Sequence, residues 1–368
     1  FISSFNRLTM NEKLLKILIY LAGVFCLFAF ISVRSLPVMN SVLVEKMIPE
    51  HFEFTRYGEL YYLNYISQFK EELPTPVRKY RFSEKHPEPS EANILIFGDS
   101  FLDMSRQVTL PERLSDSLRL NVFFHRFVFP QRANPFCVLY DYGIQPADKK
   151  IVIYQTVERN IPMKFEKPYD DSLCTEAGNE SRSALENVAL KVFPENTEEM
   201  YKQFLKRSIF TTDLYALNSQ IKFDLFGYIS SQTPVYKVSN TPWLFFYRQL
   251  GDEPGSFYYN YSEEQIERYC DNIAFLANQL KEKMNMQMIF LPVPNKYTIY
   301  HSVVNDDPYN EFLPRLYSGL SERNVPYVDL YNEFMSADDT LYYGTDTHWN
   351  KKGVDIALKE LVEKLNAL

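Results

Sequence analysis

The sequence predicts a three-layer α/β/α domain on a parallel sheet, with an apolar N-terminal helix ahead of it and an aromatic-rich insertion within it. Three observations carry this reading. Short apolar runs end at turn residues, as in Ile94–Phe97 before Gly98-Asp99-Ser100 and Gln287–Val293 before Pro294. Segments of helical periodicity separate these runs, which is the pattern of parallel strands covered on both faces. The chain of 368 residues is 46% hydrophobic and 16% aromatic, so it can bury a substantial core and is not disordered.

The elements follow in order. Leu14–Val33 is apolar apart from Lys16 and Ser32. Twenty helical residues span roughly the 30 Å of a bilayer core. Arg7, Lys13 and Lys16 precede this run and Arg34 follows it, so the positive-inside rule places the N-terminus in the cytoplasm and the body outside. No small-x-small cleavage site follows, and an uncleaved anchor is favoured over a signal peptide. Residues 1–36 form this segment, and residues 37–90, with Pro74, Pro76, Pro87 and Pro89, read as a juxtamembrane stalk or connector.

The α/β domain spans residues 91–368. Its first strand is Ile94–Phe97, followed by a helix over Leu110–Arg119 and a second strand over Asn121–Phe129. Ile151–Tyr154 is the third strand. A helix over Gln265–Met284 leads to the fourth, Gln287–Val293. Phe312–Glu322 is helical, Tyr327–Leu330 is a fifth strand, and Lys351–Leu365 is the closing helix. Residues 161–262 break the rhythm with Trp243, Phe245, Phe246, Tyr247, Phe257, Tyr258, Tyr259 and Tyr261. They read equally as a lid for sugar rings or acyl chains and as a helical addition with its own core.

Charge and cysteine usage narrow the function. A net charge of −8 with no long basic run argues against nucleic-acid binding. His51, His86, His125, His301 and His348 lack metal-ligand spacing, so no metal is expected, and no nucleotide loop points to a cofactor. His125 reads as a packed strand histidine. Cys26 lies in the apolar segment. Cys137, Cys174 and Cys270 read first as three buried thiols and second as one disulfide with a free thiol.

Two segments carry chemistry. Gly98-Asp99-Ser100 presents a serine at the carboxyl end of a strand, where sites form in parallel sheets. Asp346-Thr347-His348 places a carboxylate two residues before an imidazole. Serine needs a base to become a nucleophile, and that histidine needs a partner to fix its tautomer. Ser100, His348 and Asp346 fill those roles. The plain alternative is a polar turn in each place, with Asn350 as a helix cap. Context favours the triad.

Gly98-Asp99-Ser100-Phe101 resembles the nucleophile block of the SGNH (GDSL-type) hydrolase superfamily. Asp346-Thr347-His348-Trp349 resembles the Asp-x-His-Trp block of its alginate O-acetyltransferase-like branch. The resemblance covers residues 91–160 and 262–368. It implies an SGNH-like fold and a membrane-anchored, extracytoplasmic enzyme that O-acetylates a cell-surface glycan. It also implies a multi-pass membrane O-acyltransferase as partner. The serine precedes the Asp-His pair here, whereas that branch includes the reverse order. The superfamily's Gly-x-Asn-Asp block is missing, and Gln155-Thr156-Val157-Glu158-Arg159-Asn160 stands in its place.

By analogy with the superfamily's glycine block, a second oxyanion donor is expected near Ala133 or Asn134. Glu158-Arg159 reads either as a structural ion pair or as a guanidinium at the pocket. Lys296 reads as a solvated loop lysine, with substrate contact as the second reading. The alternatives to glycan acetylation are a carbohydrate acetylesterase, a D-alanyl transfer protein for teichoic acids, and a non-catalytic SGNH-like assembly protein.

Overall fold

The structure, a computed structural model, describes residues 17–26, 57–74, 87–103, 108–127, 134–145, 150–169, 174 and 212–368. The chain divides into two compact units, residues 1–49 with 182–215 and residues 50–181 with 216–368. Of the first unit, residues 17–26 are helical. The rest of the expected span Leu14–Val33 lies outside the described residues, and no described helix is long and apolar enough to cross a membrane.

The second unit holds the sheet. Strand β1 is Ile94–Gly98, with all five residues buried. Helix α1, Leu110–Leu118, begins at a capping box in which Thr109 and Glu112 satisfy each other's backbone N–H, and ends on Arg119 in the left-handed region. Strand β2, Val122–Arg126, and helix α2, Pro135–Asp141, follow. Strand β3, Lys150–Val157, runs three residues past the expected Tyr154. Helix α3, Ile161–Phe165, starts within one turn of its end.

Beyond the undescribed residues come helix α4, Thr212–Phe226, and an antiparallel hairpin of β4, Val235–Val238, and β5, Thr241–Leu244. Helix α5, Glu263–Met284, opens with a Ser262–Gln265 capping box and closes on Asn285 in the left-handed region. Strand β6, Met286–Val293, helix α6, Lys296–Val304, helix α7, Phe312–Glu322, helix α8, Leu330–Met335, and helix α9, Lys351–Asn366, complete the chain.

The sheet is parallel with order β2-β1-β3-β6. Ile94 aligns with Val122 on one side and Ile151 on the other, so β1 and its serine turn are central. Helix α5 packs on β6 and against α3 and α7, while α9 packs against α1 and α8. The expected fifth strand is a correction. Tyr327 makes only an isolated bridge to Phe290. Pro326 has no N–H to extend a ladder, and Asp329 caps α8 by accepting the Asn332 N–H at 3.0 Å.

Two further expectations change. Cys137 in α2 forms a disulfide with Cys174, with Cα atoms 4.7 Å apart, so three buried thiols is not the outcome. The pairing depends on how α2 lies against residue 174, which spacing does not reveal. Residues 57–74, read as connector, pack into the fold through buried Tyr57, Leu60, Tyr61, Tyr62, Tyr65 and Ile66.

Cys270 is buried, and a Cβ built on Gly319 would meet its Sγ at 2.6 Å. Gly319→Ala should therefore cost about 1–3 kcal/mol through overpacking of α5 on α7. Adding Cys270→Ala should recover most of that loss. Urea unfolding of the single and double variants checks it, and an undiminished loss in the double variant contradicts it.

Candidate active site

Strand β1 stops at Gly98 because the next turn is crowded. A Cβ there would meet Gln155 Oε1 at 2.5 Å and Leu102 Cδ1 at 2.7 Å. The turn is then fixed by its own polar groups. Gln155 Oε1 accepts the Asp99 N–H at 2.8 Å, and Asp99 Oδ1 accepts the Phe101 N–H at 3.1 Å. These bonds hold Ser100 at the carboxyl end of the sheet.

Ser100 Oγ lies 2.7 Å from His348 Nε2. His348 Nδ1 lies 2.5 Å from Asp346 Oδ1, which also accepts the His348 N–H at 3.1 Å. A carboxylate facing Nδ1 assigns the proton to that nitrogen and leaves Nε2 to accept from serine. Asp346 Oδ2 accepts the Glu59 N–H at 3.1 Å. Both Asp346 and His348 are buried.

The segment carrying the imidazole is itself braced. Leu60 N–H donates to Thr345 O at 3.1 Å, and Gly58 has a positive φ of 84° with Thr345 O where a Cβ would sit, so glycine is required. The Thr347 hydroxyl donates to the Glu59 carboxylate. Glu59 Oε1 also stands 3.7 Å from His348 Nδ1. Nothing in the sequence singles out Glu59. It reaches the site only because the connector folds back.

Lys296 is not a solvated loop lysine. It is buried in the first turn of α6, and its Nζ donates to Leu244 O at 2.7 Å, Gly344 O at 2.9 Å and Asp346 O at 3.3 Å. Trp243 and Phe245 present their ring faces to it, each centroid 4.9 Å from Nζ. It therefore ties β5 to the segment bearing Asp346. Burial pulls its pKa down to about 7, while Asp346, Glu71 and Glu59 act the other way.

Glu158 and Arg159 diverge. Buried Glu158 accepts from Asn295 N–H at 2.7 Å, Thr298 Oγ1 at 2.8 Å and Tyr309 OH at 2.8 Å. Burial raises its pKa and these donors oppose the rise. It joins β3 to α6 as a structural strut. The Arg159 guanidinium lies over the rings of Phe101, at 5.8 Å, and Phe246, at 5.7 Å. Its Nη1 is buried without a hydrogen-bond partner. Burial lowers its pKa, and Glu59 and Asp99 counter that.

Asn134 caps α2 by accepting the Phe136 N–H at 3.0 Å, and its Nδ2 donates to Cys174 Sγ at 3.6 Å. Ala133 lies outside the described residues. Glu59, Asp346 and His348 offer possible ligand atoms within 4.8 Å of one another. A cation there would have to displace the hydrogen bonds just described, so the cluster fits a proton relay better than a metal centre.

The arrangement can deprotonate a serine hydroxyl and carry the proton on an imidazole backed by carboxylate, which is the requirement of acyl transfer. Residues 238–368 match the family model described as SGNH hydrolase-like domain, acetyltransferase AlgX. The match covers just over a third of the chain, including Asp346 and His348 but not Ser100. It agrees with the resemblance drawn from the two motifs and supports an acetyltransferase of the SGNH type. Comparison with curated proteins and with solved structures gave no match.

The Lys296 shift has a testable sign. The folded protein releases this proton near 7 and the unfolded chain near the ordinary 10.5. Between those pH values the unfolded state binds more protons, so Lys296 makes stability rise with pH by up to about 1.4 kcal/mol per unit. Lys296→Met should remove that slope while lowering stability overall, because three carbonyls lose their donor. Denaturant melts from neutral to alkaline pH check it, and an unchanged slope refutes it.

Proposed function

We propose that the protein is a membrane-anchored, extracytoplasmic serine acyltransferase that O-acetylates a cell-envelope polysaccharide. The observation that carries this is the continuous hydrogen-bonded chain from Ser100 Oγ through His348 to Asp346. The SGNH-type acetyltransferase match supports the acyl group as acetyl.

Ser100 Oγ attacks the carbonyl carbon of the acyl donor as its proton passes to His348 Nε2. Asp346 stabilises the imidazolium. The tetrahedral oxyanion is met by the Ser100 N–H, which no described residue engages, and by the unpartnered Arg159 Nη1 in place of the missing asparagine. Collapse expels the leaving group, which takes the proton from His348. A sugar hydroxyl then attacks the acyl-enzyme, gives its proton to His348, and leaves as the ester while Ser100 recovers its proton.

Ser100→Ala should abolish acyl transfer and the acyl adduct on intact protein, with little loss of stability because one partly exposed hydroxyl is removed. Arg159→Met should retain the adduct but form it about 10²–10³-fold more slowly. Mass spectrometry after incubation with an acyl ester reads both. Unaltered turnover in Ser100→Ala would end this reading.

The apolar run Leu14–Val33 and its flanking Arg7, Lys13, Lys16 and Arg34 support an anchor with a cytoplasmic N-terminus. Acetyl groups made in the cytoplasm must cross the membrane, so a multi-pass O-acyltransferase is the partner. Small residues Ala22, Gly23 and Ala29 suit close helix packing. Replacing the run with an unrelated spanning helix should keep the protein on the membrane yet lower glycan acetylation in cells. Full acetylation would reduce the run to an anchor, and secretion of a chain lacking it would identify a cleaved signal.

A further inference from the structure

Glu59 reaches the imidazole loop with two different groups. Its backbone N–H donates to Asp346 Oδ2 at 3.1 Å, while Asp346 Oδ1 faces His348 Nδ1 at 2.5 Å and accepts the His348 N–H at 3.1 Å. Both oxygens of that carboxylate are thereby fixed, one of them by a residue 287 positions away in sequence. The Glu59 side chain acts separately. Its Oε1 accepts the Thr347 hydroxyl, and the same atom stands 3.7 Å from His348 Nδ1. That distance is too long for a hydrogen bond, and the Nδ1 proton is directed at Asp346. What Glu59 presents to the ring is charge alone.

The local fold holds that charge in place. Leu60 N–H donates to Thr345 O at 3.1 Å and Gly58 leaves room for the same carbonyl, so residues 58–60 lie along residues 345–347. The Glu59 side chain is 30% exposed and keeps part of its hydration, whereas Asp346 is buried. Other charges act in the same space. Burial lowers the pKa of Arg159 and of Lys296, and Glu59 opposes the fall at both. Lys296 also feels Asp346 and Glu71, both more strongly than Glu59, and Arg159 also feels Asp99 and Arg248. The direction of Glu59 Oε1 is set by the Thr347 hydroxyl, and Thr347 sits between Asp346 and His348.

We propose that Glu59 is a positioning residue of this site: its N–H locks the Asp346 carboxylate, and its side chain supplies a second negative charge against the imidazolium. Its link to rate rests on the acyl-transfer reading. As Ser100 Oγ bonds to the acyl carbon, its proton moves to His348 Nε2 and the ring gains one positive charge. Glu59 exchanges no proton in that step.

NMR titration of the His348 ring in the full chain, with its signal assigned from His348→Asn, reads the charge directly. Glu59→Gln keeps the backbone N–H and an oxygen for Thr347 but removes the charge. The ring should then protonate about one pH unit lower, as expected for losing a unit charge at this distance in partly hydrated surroundings. Glu59→Asp, which keeps the charge and withdraws it by one carbon, should fall between. Formation of the acyl adduct on Ser100, followed by mass spectrometry, should show the acidic limb of the Glu59→Gln profile at lower pH. Its plateau should fall about three- to tenfold, because the imidazolium is less stabilised. An unchanged ring titration in Glu59→Gln overturns the proposal even if the rate falls, since a rate loss alone marks a merely structural residue. An unaltered plateau overturns it as well. A shifted titration with no acyl adduct in wild type would leave Glu59 acting on the ring and defeat the acyl-transfer reading alone.

Discussion

The Trp349 indole N–H donates to the Phe101 carbonyl at 2.8 Å across 248 residues of sequence, and the site geometry hangs on that contact. Trp349 is fully buried, so its one polar atom must be satisfied there or be lost to burial. Phe101 follows Ser100 and Trp349 follows His348. Joining the two aromatic residues therefore fixes the distance between nucleophile and base. The Phe101 ring also lies 4.7 Å from the imidazole and edge-on to the indole at 5.6 Å. Packing, rather than the serine–histidine hydrogen bond itself, sets the register of the two segments.

The remaining supports arrive from distant parts of the chain and meet the same short loop. The Glu59 backbone holds Asp346 from the N-terminal side, while Lys296 grips three carbonyls from α6 and the β5 edge. Leu244 N–H shares the Gly344 carbonyl at 2.9 Å. The aromatic insertion thus contributes a hairpin that braces the imidazole loop, which goes beyond either expectation held for it.

Much of this was legible in the sequence because it is local. Apolar runs ending in turns located β1, β2, β3 and β6, and helical patterning located α1 and α5. Ser100, His348 and Asp346 stood out because their chemistry is paired with strand-end and helix-start positions. What escaped is long-range. Tyr327–Leu330 looks like a strand until Asp329 is seen to cap a helix. Lys296 looks solvated because its carbonyl partners belong to loops that sequence cannot bring together. Glu59 lay in a segment whose tyrosines gave no periodicity, and the Cys137–Cys174 pairing required knowing where α2 points. The expected donor near Ala133 or Asn134 rested on analogy, and the Asn134 side chain caps α2 and reaches Cys174.

Carboxylates gather at the imidazole end of the serine–histidine axis and cations at the other, with Lys296 and Asp99 as the exceptions. Asp346 and Glu59 stand on the imidazole side, and Arg159 and Lys164 on the side of β3 and α3. A serine attack creates an imidazolium at one end of this axis and an oxyanion at the other. A fixed field of that polarity lowers the energy of the separated charges without needing to reorganise when they form.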